Sequence, residues 1–303
     1  MKNKITFLNR YTSKLEEELV YGGDAIEWLY NSGFGSKVRH FITGRLFSSI
    51  YGSFQNTRIS SSKVPGFLKK FKINQSDYKK GSVKGSFENS FESFNEFFIR
   101  EFQDGKRSFP QENKSLGAPA EARYFGIENI KKNDEFPVKG IEIDLKELLG
   151  DAHLAEVFEG GSLLIARLCP VDYHRYHYPD NGQTVSSYFL HGPLDSVNPI
   201  ALELDTKILF RNERQVNIFE TQNFGKLAYI EVGATCVGKI LQSHQEDLFS
   251  RGDEKGYFLF GGSTVILIGQ KNKWAIDSDI LKNTQNGHET YIHLGDQIGY
   301  KIN

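Results

Sequence analysis

Cysteine is almost missing from this chain: there are two in 303 residues, Cys169 and Cys236, in unrelated contexts. This argues against a disulfide framework, and the usage suits a reducing cytosol. No Cys-x-x-Cys pair and no Cys/His cluster of zinc spacing occurs, so no metal site is expected. An excess of one charge sign is missing too. Lys and Arg number 37 against 38 Asp and Glu, a net charge of −1, which speaks against nucleic acid or another global polyanion as partner. No stretch approaches the roughly 20 apolar residues that span a bilayer. The opening segment MKNKITFLNRYTSKLEEELVYGGD holds no apolar run of secretory-signal type. If a membrane matters to this chain, the chain lies on it.

What is present suffices for a core: 39% of residues are hydrophobic and 25% charged. The length fits one large domain with an appended part, or two modest ones. Residues 1–105 read as a helical N-terminal region. Phe34, Val38, Phe41, Ile42, Leu46 and Ile50 recur three or four apart. A second helix is expected from Ser93, where Ser93 and Glu96 form a capping box ahead of Phe97, Phe98 and Phe102. Gly81–Gly85 (GSVKG) reads as a flexible joint.

Residues 106–303 read as a β-rich core, with β texture from about residue 115. Short runs rich in β-formers alternate with Gly, Pro, Asn and Asp: 162–168, 184–190, 215–220, 226–233, 235–242 and 264–269. Asn223-Phe224-Gly225 reads as a hairpin turn. The expected class is α+β, a mostly antiparallel β core with flanking helices.

From Trp28 to Ile73 there is no acidic residue, while Lys37, Arg39, Arg45, Arg58, Lys63, Lys69, Lys70 and Lys72 are interleaved with aromatic side chains. Basic charge beside aromatics suits an anionic membrane surface, each Lys or Arg contributing about 1 kcal/mol there. The plainer alternative is an amphipathic helix packed on the core with a solvated basic face.

Three segments could carry chemistry. In Gly256–Gly269, two glycines precede Ser263-Thr264 between apolar runs; taken alone, this is a tight turn or bulge. Arg167–Pro179 carries His174 and His177 three apart, which one helical turn after Pro170 would set on one face. These are acid–base candidates, or simply two surface histidines. Leu116–Arg123 carries Glu121 just after Pro119, in isolation an ordinary surface carboxylate.

The order of these segments resembles the phosphatidylserine decarboxylases, in particular the longer bacterial type with a helical N-terminal extension. The resemblance rests on Phe94-Asn-Glu-Phe-Phe98, Arg100, Cys169–His177, Ser196–Pro199, Asn212-Glu-Arg214, Glu231–Gly238, Lys255–Phe258 and Phe260-Gly-Gly-Ser-Thr264, and it covers most of the chain. It implies self-cleavage between Gly262 and Ser263 into a β chain (1–262) and an α chain (263–303). Ser263 would become a covalent pyruvoyl group, the only cofactor, which forms a Schiff base with the substrate amine and acts as its electron sink. The reaction implied is decarboxylation of phosphatidylserine to phosphatidylethanolamine. Serine is needed because its oxygen serves as both nucleophile and leaving group.

By motif position, the resemblance assigns His177 as the base for Ser263, Glu121 as its supporting carboxylate and His174 as the donor that returns a proton to the product. Glu121 departs from the family pattern: Pro119-Ala-Glu-Ala122 stands where Pro-x-Asp-Gly is usual, and the longer side chain asks for about 1 Å of adjustment. The implied partners are a phospholipid substrate, an anionic membrane surface on the cytoplasmic side, the two chains of one precursor and a second copy in a homodimer. The alternatives are a pyruvoyl decarboxylase of another amine acid, or an unprocessed non-catalytic relative.

Overall fold

The computed structural model describes residues 5–18, 45–131, 134–136, 141–197, 201–202, 205, 207–234, 240–261 and 263–302. Phe34, Val38, Phe41 and Ile42 of the expected first helix lie outside the described residues, as do Asn198, Pro199, Cys236 and Gly262.

The strands in chain order are Thr6–Asn9 (β1), Lys14–Glu17 (β2), Ser115–Gly117 (β3), Ala122–Ile127 (β4), Asp134–Phe136 (β5), Ile141–Ile143 (β6), Leu163–Leu168 (β7), Arg175–His177 (β8) and Gly182–Leu190 (β9). They continue with Arg214–Thr221 (β10), Gly225–Val232 (β11), Ile240–Gln242 (β12), Leu248–Phe249 (β13), Glu254–Phe258 (β14), Ser263–Gly269 (β15), Trp274–Ile276 (β16), Glu289–Ile292 (β17) and Gln297–Lys301 (β18). Ten of them form one sheet, β13-β9-β10-β11-β15-β7-β4-β17-β1-β2. Every neighbouring pair in it is antiparallel except β1 with β17. Three-stranded sheets β12-β14-β8 and β16-β18-β3 lie beside it. The fold class is α+β, with a mainly antiparallel core.

The central strands β7 and β15 are buried at every residue, which is why LLIARL and STVILIG read as continuous runs rather than alternating ones. The 223–225 turn joins β10 to β11, with Gly225 at φ 70° where an L-residue would be strained.

Residues 1–105 are not wholly helical. Thr6–Asn9 and Lys14–Glu17 make a hairpin that extends the large sheet through β17. That pairing spans about the whole chain, so no local periodicity could announce it. Helices run over Arg45–Gln55, Val64–Phe71 and Phe94–Phe98. The last begins as expected: Ser93 Oγ accepts from the Glu96 N–H at 3.1 Å. It stops at Phe98, and Phe102 bridges to Tyr78 instead.

Gly81–Gly85 is tied down rather than free. The Gly81 N–H donates to Ser90 Oγ (2.9 Å) and the Val83 N–H to Ser90 O (2.7 Å). A Cβ at Gly81 would lie 2.5 Å from Ser90 O, so glycine is there for close packing. Val64, Phe67, Phe91, Phe94, Phe97 and Phe98 form a hydrophobic cluster, mostly aromatic, with Tyr173, Phe260 and Leu294 of the β-rich region. The two regions share that core.

Candidate active site

Ser263 stands where the chain leaves the small sheet at β14 and enters the large one at β15, opposite Leu168 of β7. Its side chain is fully buried, as are Thr264 and Val265 after it. Gly261, two residues earlier, holds φ at 151°, a conformation that side-chain-bearing residues rarely adopt. The turn is roofed by the Phe94–Phe98 helix. Asn95 Oδ1 accepts from the Phe260 N–H (2.9 Å), and Phe260 packs edge-on against Phe94 and Phe98 at 5.1 and 5.0 Å. The FNEFF motif was legible as a match, but its role as the roof over the serine was not.

The hydroxyl of Ser263 faces His174, with Oγ 3.2 Å from Nδ1. The other ring nitrogen, Nε2, lies 2.9 Å from the carbonyl oxygen of Cys169. A carbonyl only accepts, so Nε2 carries the proton and Nδ1 presents its lone pair to the serine. The ring is fully buried and stacked on Phe98 at 3.8 Å. Burial, aided by the positive charge of Arg100, pulls His174 down to about 3. It is a neutral base at pH 7.

His177 goes elsewhere. Residues 175–177 are the strand β8, paired with β14, not a helical turn. His174 precedes that strand and His177 ends it, so the expected shared face of one helical turn does not form. His177 Nδ1 meets Gly252 O at 2.9 Å and Nε2 meets Tyr173 OH at 3.2 Å.

Glu121 is buried and also engaged elsewhere. Arg107 grips both of its oxygens, at 2.6 and 2.9 Å, and Tyr291 OH donates at 2.9 Å. The Leu294 N–H makes a longer contact at 3.4 Å. Among the described residues, none of its hydrogen bonds runs to His177. Of the four expected side chains, the structure thus brings together Ser263 and His174 and sets His177 and Glu121 apart. Arg107 was not foreseen: nothing in its local sequence marks it as a carboxylate partner.

Three other motif residues, Asn212, Lys255 and Glu231, are tied into the fold. Asn212 Nδ2 donates to the carbonyls of Asp195 and Gly233, both at 2.8 Å. Lys255 and Glu231, both buried, pair at 2.7 Å. The Cys169 thiol is buried, which pushes it well above its usual range and makes it a poor nucleophile.

The phosphatidylserine decarboxylase family model matches residues 94–300. Phosphatidylserine decarboxylase proenzymes of Clostridium perfringens and Clostridium tetani are 42% and 41% identical over 299 residues. In each case the match covers 98% of this chain, and it covers 100% and 99% of the relative. The proenzyme of Fusobacterium nucleatum is 37% identical over 302 residues, 99% of both chains. The chain belongs to the phosphatidylserine decarboxylase family. Membership in the decarboxylase family makes it a carboxy-lyase of phospholipid biosynthesis, and a proenzyme implies processing. Its residues fit a pyruvoyl group at 263: the position is buried, begins a fully buried strand, lies two residues after Gly261 at positive φ and has one neutral imidazole against it.

Proposed function

We propose that this chain cleaves itself at Gly262–Ser263 and decarboxylates phosphatidylserine to phosphatidylethanolamine. The observation that carries this reading is the 3.2 Å contact between the buried Ser263 hydroxyl and the unprotonated Nδ1 of His174. His174 draws the hydroxyl proton as Oγ attacks the Gly262 carbonyl carbon. The Gly262–Ser263 C–N bond breaks, the proton passes to the freed Ser263 nitrogen and an ester remains. Loss of the Cα proton with breakage of the Cβ–Oγ bond releases the β chain as a carboxylate. One water in and one ammonia out then convert residue 263 to pyruvoyl. That group supplies a carbonyl that condenses with the substrate amine and takes up the electron pair left by CO₂. The proton that replaces CO₂ is taken up from solvent, and His174, still beside residue 263, is placed to relay it through Nδ1. The apolar walls and the Phe98 roof exclude bulk water.

The test is intact-mass measurement of purified protein. Two chains, 1–262 and 263–303, are expected in place of one of 34.5 kDa. The shorter should be lighter by one ammonia than a serine-terminated chain. An uncut chain that still decarboxylates phosphatidylserine would sink this reading.

We place the enzyme as a peripheral protein on an anionic, cytoplasmic membrane face. No helix among the described residues is long and apolar enough to cross a membrane. Ile50 (64% exposed) and Phe54 (43%) lie four apart on the Arg45–Gln55 helix, and Ile59 (73%) follows beside Arg58. This patch adjoins the site, since Asn95 Nδ2 donates to Asn56 Oδ1 at 2.8 Å while Asn95 Oδ1 holds Phe260. Burying one isoleucine side chain is worth about 1.5–3 kcal/mol. Ile50→Glu with Ile59→Glu should therefore weaken binding to vesicles containing anionic lipid by at least about 10². Turnover of detergent-dispersed substrate should stay the same. Unchanged vesicle binding would remove this face from the proposal.

A further inference from the structure

We propose that Asp172 is a positioning residue for His174: it fixes the Cys169 carbonyl that dictates which imidazole nitrogen faces residue 263. The proposal rests on the role given above to His174. Asp172 is buried, and it reaches the turn twice. Its carboxylate Oδ2 accepts the Cys169 N–H at 2.7 Å, and its own N–H donates to Cys169 O at 2.9 Å. Both polar groups of Cys169 are thereby held by one residue, and the same carbonyl receives Nε2–H of His174. The opposite tautomer would set a nitrogen lone pair against that oxygen and a proton against Ser263, where the hydroxyl must be a donor for attack.

Two arginines hold Asp172 in turn. Arg123 Nη1 donates to the same Oδ2 in a short charge-assisted bond, and Arg123 Nε is 2.9 Å from Glu18. Glu18 also pairs with Arg167, which pairs with Glu289. On the other flank, Arg100 Nη2 donates to Val171 O (2.8 Å) and Asp172 O (3.1 Å). A purely structural ion cluster would not need its central carboxylate aimed at the one peptide whose carbonyl orients the active-site histidine.

The experiment uses the uncut Ser263→Ala precursor, with ¹⁵N NMR of the His174 ring, alongside cutting rates in chains that keep Ser263. The expected spectrum has one pyrrole-like nitrogen, Nε2, and one pyridine-like nitrogen, Nδ1. Asp172→Ala should give an exchange-averaged mixture of tautomers. In chains that keep Ser263, it should cut about 10²-fold slower and lose a similar factor in turnover per cut chain. Asp172→Asn retains an acceptor for the Cys169 N–H; it should keep the single tautomer and recover most of both rates. Asp172→Glu keeps the charge but carries it past that N–H, and should show the mixture, which serves if the alanine variant fails to fold. A single Nε2–H tautomer in Asp172→Ala or Asp172→Glu overturns the proposal. So does an Asp172→Asn variant that keeps the tautomer yet is as slow as Asp172→Ala. A wild-type chain that never cuts at 262/263 would instead refute the proposed self-cleavage and leave the tautomer measurement standing.

Discussion

His174→Ala should lower decarboxylation per cut chain by about 10²–10⁴, the usual contribution of one positioned acid–base group. Cutting should slow by a comparable factor, because no other described side chain is seen to hydrogen-bond the Ser263 hydroxyl. The measurements are the fraction cut against time after cell-free translation, and turnover normalised to cut chains. His177→Ala is the necessary companion. Its ring bridges Gly252 and Tyr173, so its loss should loosen the 252 loop and slow cutting by less than about 10-fold, well below an acid–base loss. Glu121→Gln should follow the same pattern, since the carboxylate serves Arg107 and Tyr291. If His177→Ala stays whole while His174→Ala cuts at the wild-type rate, the base is His177. His177 would then have to leave Gly252 and Tyr173, and Glu121 would have to leave Arg107, before the chain could cut. Slowing by Glu121→Gln equal to that of His177→Ala would restore the relay read from the motif order.

The difference between the two assignments shows what one-dimensional reading can carry. Central strands such as 163–168 and 263–269 were legible because burial on both faces writes an unbroken apolar run. The Ser93 cap was legible because its spacing fixes its partner. The histidines were not. His-x-x-His is neutral between a helical turn, which unites the rings, and a strand, which parts them; pairing with Glu254–Tyr257 decides for the strand. The partners of Glu121 were not legible for a related reason. Arg107, its ion partner, sits fourteen residues upstream in a loop with no periodicity. Tyr291, its other main partner, arrives on β17 from the far end of the chain. The Glu18–Arg167–Glu289 cluster likewise joins the two termini. Buried charges are placed by the tertiary fold, and local sequence records only their presence.

Lys255→Met should cost about 3–5 kcal/mol of folding stability, measured by urea unfolding of the uncut Ser263→Ala precursor. Lys255 lies on β14, just before the turn in which we place the scissile bond, and Glu231 lies on β11 of the large sheet. Lys255 Nζ lies 2.7 Å from Glu231 Oε1 as an ion pair and donates to Gln242 Oε1 at 2.6 Å, and Asn217 Nδ2 donates to Glu231 Oε2 at 2.8 Å. The rings of Tyr176, Tyr178, Phe219 and Tyr229 surround the ammonium at 5.6–6.0 Å. Removing the lysine leaves a carboxylate in that dry cage. Burial already pushes Glu231 upward, and Lys255 is the largest force holding it down. Its loss should make Glu231 take up a proton on folding, so stability should fall as pH rises through the raised carboxyl pKa. Lys255→Met combined with Glu231→Gln removes that charge and should recover at least half of the loss. A single variant less than about 1 kcal/mol destabilised, or a double variant no better than the single, would mean that the pair does not fasten β14 to the large sheet. Cleavage at the proposed site would sever the chain between β14 and β15 and leave the end of the β chain held by noncovalent contacts such as this one. The same substitution should therefore release residues 254–261 to limited proteolysis in the cut enzyme more than in the precursor.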